Sequence, residues 1–588
     1  MLFEEVASYY EKLENVSSRL AMIDILSEML GKAKRGEIRP LIYMTQGLLG
    51  PPFEGIDLGM AEKSAQHAIA TATGYHNEEV VSVSRRLGDI GDAAEELVKK
   101  TKLRRMGSKR HGAVDVFETM IKIAHTGGAG SQEGKRNLLV SLLTASSPLE
   151  ARYIIRFALG KLRLGAGDAT ILEALSKEAT GTRENKPKLE NAYNICSDLG
   201  KVGEILTESG MEGIGKLKVS LFSPVRPALA ERLPTAEEIL EKMHGRCAVE
   251  SKYDGLRAQV HIDRGRRRVE IFSRNLEKIT PMLPEIVKAA LSEVKAEKAI
   301  LEGEAIAYDE TTREFRPFQE TIQRKRKTGI EELSRSMPLH LFAFDLMFLD
   351  GEDYLNKPYE ERREKLESIL KKEGTILTSG RIIVDKPRDL EKYFEEQIEE
   401  GLEGIVAKEL NSPYVAGARK FSWIKLKRSY KGELSDTVDL AIVGYYIGRG
   451  QRTEFGFGGL LAAAYNEKRD MFETVTRIGT GFSEEQMKNF KKILDKIKVP
   501  HKPARVDSLV TPDFWVEPKY VVEVRADEIT RSPMHTCGRD SNDTGYALRF
   551  PRIVSDGVRG DKSADEATTT KEIIEMYGQQ KRIKVEDA

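Results

Sequence analysis

Over the first 220 or so residues, apolar positions recur at helical spacing. Phe3, Val6, Tyr10 and Leu13 fall on one helix face, and Leu138, Leu139, Leu142 and Leu143 line another. Ala and Leu are frequent, as suits helices. Prolines are sparse (Pro40, Pro51, Pro52, Pro148, Pro187). Glycine-rich breaks such as GGAGSQEGKR (127–136) separate one helical run from the next. Residues 1–220 are therefore expected to form an all-α domain.

The pattern changes at SPVRPALAERL (223–233), where prolines mark a linker. Short β-patterned runs follow: AVESKY, LRAQVHI, RVEIFS, AILEGEAIAY, LHLFAFDLMFL, GIVAKEL and WIKLK. Turn signals such as Asp254-Gly255 and Arg264-Gly265 sit between them, with helical inserts near 281–297 and 358–373. Residues 221–429 thus read as an α+β domain built on antiparallel sheets. A second shift follows SYKGELSD (429–436). DLAIVGYYIG, LLAAAYN, ETVTRIGT and YVVEVRADEIT look like strands of a small β-barrel, for which the five-stranded OB-fold is the expected type over 430–588. The polar end of the chain closes with KEIIEMYGQQ, a short predicted helix.

A length of 588 residues suits this multidomain layout. The 93 basic residues are balanced by 93 acidic ones, so any nucleic-acid surface must come from local clustering. Clusters exist at KKTKLRRMGSKRH (99–111), RGRRR (264–268) and RKRK (324–327). Cys196, Cys247 and Cys537 are too few for a disulfide framework or a four-cysteine zinc site. The N-terminus lacks a basic segment followed by an apolar run, and no stretch of about 18 apolar residues occurs. A soluble, cytoplasmic chain without a membrane partner is expected. GSQEGKR invites comparison with a phosphate-binding P-loop. That loop requires Gly at 129, which is Ala, and Ser or Thr at 136, which is Arg.

The segment with the most chemistry is E-S-K-Y-D-G-L-R, Glu250–Arg257. A lysine must be neutral to act as a nucleophile, and holding it so at pH 7 costs roughly 4–5 kcal/mol from an ordinary pKa near 10.4. Burial, nearby cations or a bound metal can lower that cost. Lys252 ends a predicted strand before an Asp-Gly turn that would hold it at a pocket floor, with Arg257 close by. Alone, the same residues also describe a surface lysine beside an ordinary turn.

This segment resembles motif I of the covalent nucleotidyltransferases: DNA ligases, RNA ligases and mRNA-capping enzymes. Further blocks follow in the family's order. SRN (273–275) resembles the next motif, with Arg274 at the nucleotide or nick phosphate. ILEGEAIAYD (300–309) resembles motif III, which implies that Glu304 lies at the sugar and the metal. FAFDLMFLDG (342–351) would stack Phe344 on the base, and EGIVAKE (403–409) resembles motif IV with Glu403 as a metal carboxylate. WIKLK (423–427) resembles motif V with Lys425 and Lys427 at the α-phosphate. ALRFPRIVSDGVRGDK (547–562) resembles motif VI, with Arg549 and Arg552 facing pyrophosphate. The resemblance also implies that Lys252 becomes adenylylated, that Glu250 helps read adenine, and that Arg257 and Arg419 contact the nucleotide, with ATP and Mg²⁺ as cofactors.

The N-terminal helical region distinguishes among these enzymes. GGAGSQEGKRNLL (127–139) and EARYIIRFALGKLRLGAGDATILEALS (150–176) resemble the DNA-binding domain of cellular ATP-dependent DNA ligases, the archaeal group above all. Arg152, Arg156, Lys161 and Arg163 lie on a basic amphipathic helix and the turn after it. They are expected to contact phosphates without reading sequence. Capping enzymes and most RNA ligases lack this domain, and NAD-dependent ligases carry the zinc site excluded above. A decayed, non-catalytic nucleic-acid binder would not need the intact Lys252, Glu304, Glu403 and motif V. The resemblance implies a monomeric enzyme acting on nicked duplex DNA, with the sliding clamp as a candidate partner. The chain departs from some relatives here: LRRMGSKRHGA (103–113) lacks the paired aromatics of their clamp-binding motif.

Overall fold

The computed structural model describes residues 1–101, 110–128, 130–309, 314–315, 334, 338–399, 402–427, 437–448, 456–479, 482–526, 528–532, 534–539, 544–549, 551–554 and 557–586. The basic runs at 102–109 and 324–327 lie outside the described residues.

From Phe3–Glu14 to Leu199–Gly215 the described regular elements are helices. The first helix buries Phe3, Val6, Ala7, Tyr10 and Leu13, the one-face stripe seen in its sequence. Helix starts use local chemistry. Ser147 accepts from the Glu150 amide, Glu150 reaches back to the Ser147 amide, and Pro148 occupies the first turn. Asp89 caps Ile90–Lys100 by accepting from the Asp92 amide. One apolar core runs through this region, from Phe3 to Ile214.

The segment at 223–233 leads into a strand, Leu229–Arg232, at the edge of a five-stranded sheet. Its order continues Arg419–Lys427, Gly404–Lys408, Cys247–Lys252, Arg381–Val384. Beside it lies a seven-stranded sheet whose main path is Arg268–Ser273, Leu256–Asp263, Lys298–Asp309, Leu339–Leu349, Glu352–Asp353. The turn Tyr253–Gly255 joins one sheet to the other. Gly255 is required there, since a Cβ would sit 2.5 Å from the Ala305 carbonyl oxygen. Helices Pro284–Ser292 and Tyr359–Ile369 answer the predicted inserts. Among the described residues of these two sheets pairing is mainly antiparallel, with two parallel exceptions: Leu229–Arg232 along Arg419–Lys427, and Ile376–Thr378 along Leu339–Leu349.

The C-terminal sheet has eight strands centred on Thr437–Tyr446 and Gly459–Asn466. Among the described residues no pairing joins its end strands, and no closed barrel is seen. Helix Thr570–Glu586 ends the described chain. Cys196, Cys247 and Cys537 are unpaired thiols, all buried. Among the described residues no helix is long and apolar enough to cross a membrane.

Candidate active site

A cavity of about 820 Å³ opens where the two central sheets meet, and the C-terminal sheet closes over it. It collects most of the residues singled out in the sequence: Glu250, Lys252, Arg257, Arg274, Glu304, Phe344, Glu403, Arg419, Lys425 and Lys427. Register explains the convergence. Lys252 pairs across the ladder with Gly404, next to Glu403, and Gly404 pairs in turn with Lys427. Gly404 must be glycine, because its φ is 148° and a Cβ would meet the Leu426 carbonyl oxygen at 2.1 Å. On the other sheet Arg257 lies opposite Glu304.

Lys252 and Lys427 both pair with Glu403. Burial opposes the charge on Lys252, but the carboxylates around it, Glu403 before Glu304 and Asp254, together lift the lysine above its ordinary value. Burial likewise resists ionisation of Glu403, yet the two lysines hold its carboxyl well below the usual range. Among the described residues Glu304 has no such pair of lysines. Burial pushes it up to about 7, with Lys252 opposing the shift, and its Oε1 accepts from the Gly255 amide at 3.2 Å. Asp254 is also raised, by burial and then by Glu403. Lys425 lies well below its ordinary value, first through burial and then through Arg232.

Two half-buried carboxylates facing one cavity suit a hard cation that keeps much of its water, which is the Mg²⁺ pattern. The raised Glu304 is the observation that fits: a cation there would offset the cost of its charge. Among the described residues no cluster of three or more His, Cys, Asp or Glu would cage a metal by itself.

One part of the cavity is aromatic. Phe344 stands edge-on to Trp423 at 5.9 Å, and Lys408 lies against both rings. Arg257 is held by Glu302 through two bonds of 2.9 Å and by the Ala228 carbonyl at 2.8 Å. Arg274 meets Glu566 at 3.4 Å, and Arg419 pairs with Glu572 of the terminal helix. From the last predicted motif, Arg559 and Lys562 line the cavity, each paired with Asp439. Arg552 is not among the lining residues. Arg549 ends the strand Gly545–Arg549, but its side chain lies outside the described residues.

The basic residues of the helical region lie elsewhere. Arg156 is buried and bonded to Glu14, Asp89 and Asp92, and Arg152 is paired with Asp92 and Glu95. Lys161 pairs with Glu62 at 2.9 Å, and Arg163 reaches Asp89 at 3.5 Å. Arg156 acts as an internal tie between helices rather than as an outward phosphate contact. Sequence reasoning missed Lys408, although EGIVAKE contains it, and it missed Tyr359, Arg362 and Arg363, which YEERREK carries on one predicted helix.

A half-buried lysine, two carboxylates in the same cavity and several cations around them suit a site that handles a phosphorylated substrate. Comparison with known proteins goes further. The model of the ATP dependent DNA ligase domain matches residues 227–427, that of the DNA ligase N terminus residues 2–176, and that of the ATP dependent DNA ligase C terminal region residues 453–562. A probable DNA ligase of Dictyoglomus turgidum is 46% identical over 587 residues, which cover 100% of this chain and 99% of that one. The DNA ligase of Sulfolobus acidocaldarius is 42% identical over 599 residues, again covering 100% and 99%. Among solved structures, a mycobacterial DNA ligase D complexed with ATP and MES is 24% identical, with TM-score 0.33, covering 58% of this chain and 97% of that one. The chain belongs to the ATP-dependent DNA ligase family. Its activity is ATP-dependent sealing of DNA nicks through an adenylate intermediate, with ATP and Mg²⁺ as cofactors.

Proposed function

We propose that Lys252 is the residue adenylylated, and that the cavity residues take the roles their positions suggest. The observation that carries this reading is the Lys252 amine paired with Glu403, which Lys427 shares, in a cavity that Glu304 and Lys425 also line. In the first step the deprotonated amine attacks the ATP α-phosphorus. A P–N bond forms, the bond to the β-phosphate bridging oxygen breaks, and pyrophosphate leaves. Lys252 must first give up the proton it holds against Glu403. Glu304 and Glu403 would hold Mg²⁺, which when bound supplies positive charge against the triphosphate oxygens and weakens Glu403's hold on that proton. Lys425, Lys427 and Arg419 stabilise charge developing on the transferring group. Phe344 faces the base and Glu250 accepts from its amino group. Arg257, fixed by Glu302, serves the ribose or the nick phosphate, as does Arg274.

AMP then passes from Lys252 to the 5′-phosphate of a nick. The 3′-hydroxyl attacks that phosphate, sealing the strand and releasing AMP. Arg559 and Lys562 close the cavity for the first step and must move aside for DNA, a gating motion familiar from other enzymes. Three units, 1–220, 221–429 and 430–588, divide the work among DNA grip, adenylylation and closure. The C-terminal strands are read as an OB-fold, supported by short strands arranged around Thr437–Tyr446 and Gly459–Asn466. The enzyme acts as a monomer on nicked duplex DNA, since one chain supplies every residue named here. Arg152, Lys161 and Arg163 are the DNA contacts proposed from the helical region, and the sliding clamp is a further partner.

The decisive experiment incubates the protein with ATP labelled in the α-phosphate, then runs a denaturing gel. Label retained by the native chain and absent from Lys252→Ala is the expected result. Absence of covalent label from the native chain, with Mg²⁺ present, overturns the assignment of Lys252.

A further inference from the structure

Glu250 sits on the strand ending in Lys252 and lines the cavity, yet it is only 2% exposed. One oxygen of its carboxylate is gripped from outside the motifs. The Tyr359 hydroxyl and Arg363 Nη1 both bond Oε1, the arginine at 3.0 Å. Lys408 Nζ lies 2.8 Å from Oε2. Arg363 is fixed in turn, bonding Ser379 Oγ at 2.6 Å, the Ser379 carbonyl at 2.5 Å and Glu367 at 2.7 Å. Its neighbour Arg362, fully buried, forks onto Asp345 at 2.7 and 3.2 Å. Burying two adjacent arginines is costly unless each meets a fixed anion. Asp345 does not line the cavity, whereas Glu250 does.

We infer that Tyr359 and Arg363 are positioning residues for choice of nucleotide, setting the one acceptor that Glu250 offers to the incoming base. This rests on the reading that Glu250 recognises the base. A carboxylate offers about four lone-pair sites. Tyr359, Arg363 and Lys408 occupy three directions and leave one on Oε2 for a single N–H donor. The 6-amino group of adenine supplies such a donor. Guanine carries a carbonyl oxygen at that position, which a carboxylate repels. Were Glu250 free to rotate, it could turn away from a wrong base or pair with Lys408 alone, and discrimination would fade.

The test compares kcat/KM for enzyme adenylylation, read as pyrophosphate release, with ATP, GTP and purine riboside triphosphate, which lacks the 6-amino group. The native enzyme should prefer ATP over the purine analogue by about tenfold or more, the usual worth of a hydrogen bond to a charged group. In Tyr359→Phe, which removes a single oxygen, that preference should fall toward unity, mainly through KM for ATP. Arg363→Met should do the same, and Arg363→Lys should restore part of it. A folding defect would lower all three substrates together and leave the ratio unmoved. Variants that keep the native ratio overturn the positioning role while leaving base recognition by Glu250 intact. A native enzyme without preference overturns base recognition itself.

Discussion

Two groups of basic side chains look alike in the sequence and differ in the folded chain. Arg152, Arg156, Lys161 and Arg163 stand beside acidic neighbours and are tied to them, Arg156 most tightly. Lys252, Lys425 and Lys427 gather around one cavity in which Glu403 is the shared anion for two of them. Arg156 ties helices together, while Arg152, Lys161 and Arg163 would have to exchange their carboxylates for phosphates on meeting DNA. The second is concentrated and underpaired, which is what an incoming triphosphate needs. Basic residues on a predicted helix are thus weak grounds for a phosphate contact until their carboxylate partners are known.

The sharpest way to break this comparison is to remove cations from each group. Lys252→Ala should lose covalent labelling and sealing by at least about 10⁴-fold, as expected for a nucleophile. Residual sealing from ATP would end the contrast at once. Lys425→Ala should slow adenylylation by roughly 10²–10³-fold without lowering the melting temperature, because it stabilises developing charge. Arg156→Met should do the reverse. It takes from buried Asp89, and from Glu14 and Asp92 beside it, the arginine they share, and should cost about 3 kcal/mol in denaturant unfolding. The salt dependence of nicked-DNA binding should stay native in that variant, since a lost phosphate contact would reduce the slope by about one.

A smaller effect tests the join between the regions. His261 is fully buried, with its pKa lowered to about 3 by burial. Its Nδ1 accepts from the Phe222 amide at 3.0 Å and its Nε2 donates to Gln259 at 2.9 Å. The folded pKa lies below the unfolded value, so the unfolded chain binds the proton first as pH falls. Its contribution is complete above about pH 6.5 and should decline by about 2 kcal/mol between pH 7 and 5. His261→Gln should flatten that part of the stability profile. Lys161→Ala, which removes an exposed pair, should change stability by less than about 1 kcal/mol.

The change from helical to β-patterned sequence was legible near residue 223, because period and proline placement shift together there. Leu339–Leu349 coincides with its predicted run because eleven largely apolar residues are bounded by turn signals. The helices Ala236–Lys242, Pro387–Glu399 and Glu484–Leu494 were not anticipated, being short or strongly charged. At the site, residues inside ordered motifs could be named one by one. Tyr359 and Arg363 could not, since they reach Glu250 across more than 100 positions of chain, a separation no local pattern records. The same limit applies to Arg156, whose partners Glu14, Asp89 and Asp92 come from other helices.

The buried cysteines have a practical consequence. Burial pushes the Cys196 thiol up to about 11 and the Cys247 thiol up to about 12, and it raises Cys537 as well. Thiolate is the reactive species, so all three should be slow toward maleimides and oxidants in the folded state. The native chain therefore offers a quiet background for labelling. Two cysteines introduced on exposed positions, one on the adenylylation unit and one on the C-terminal unit, could carry a fluorescent donor and acceptor without removing any native thiol. The distance between those dyes would follow, in real time, the opening that lets DNA reach the charged lysine.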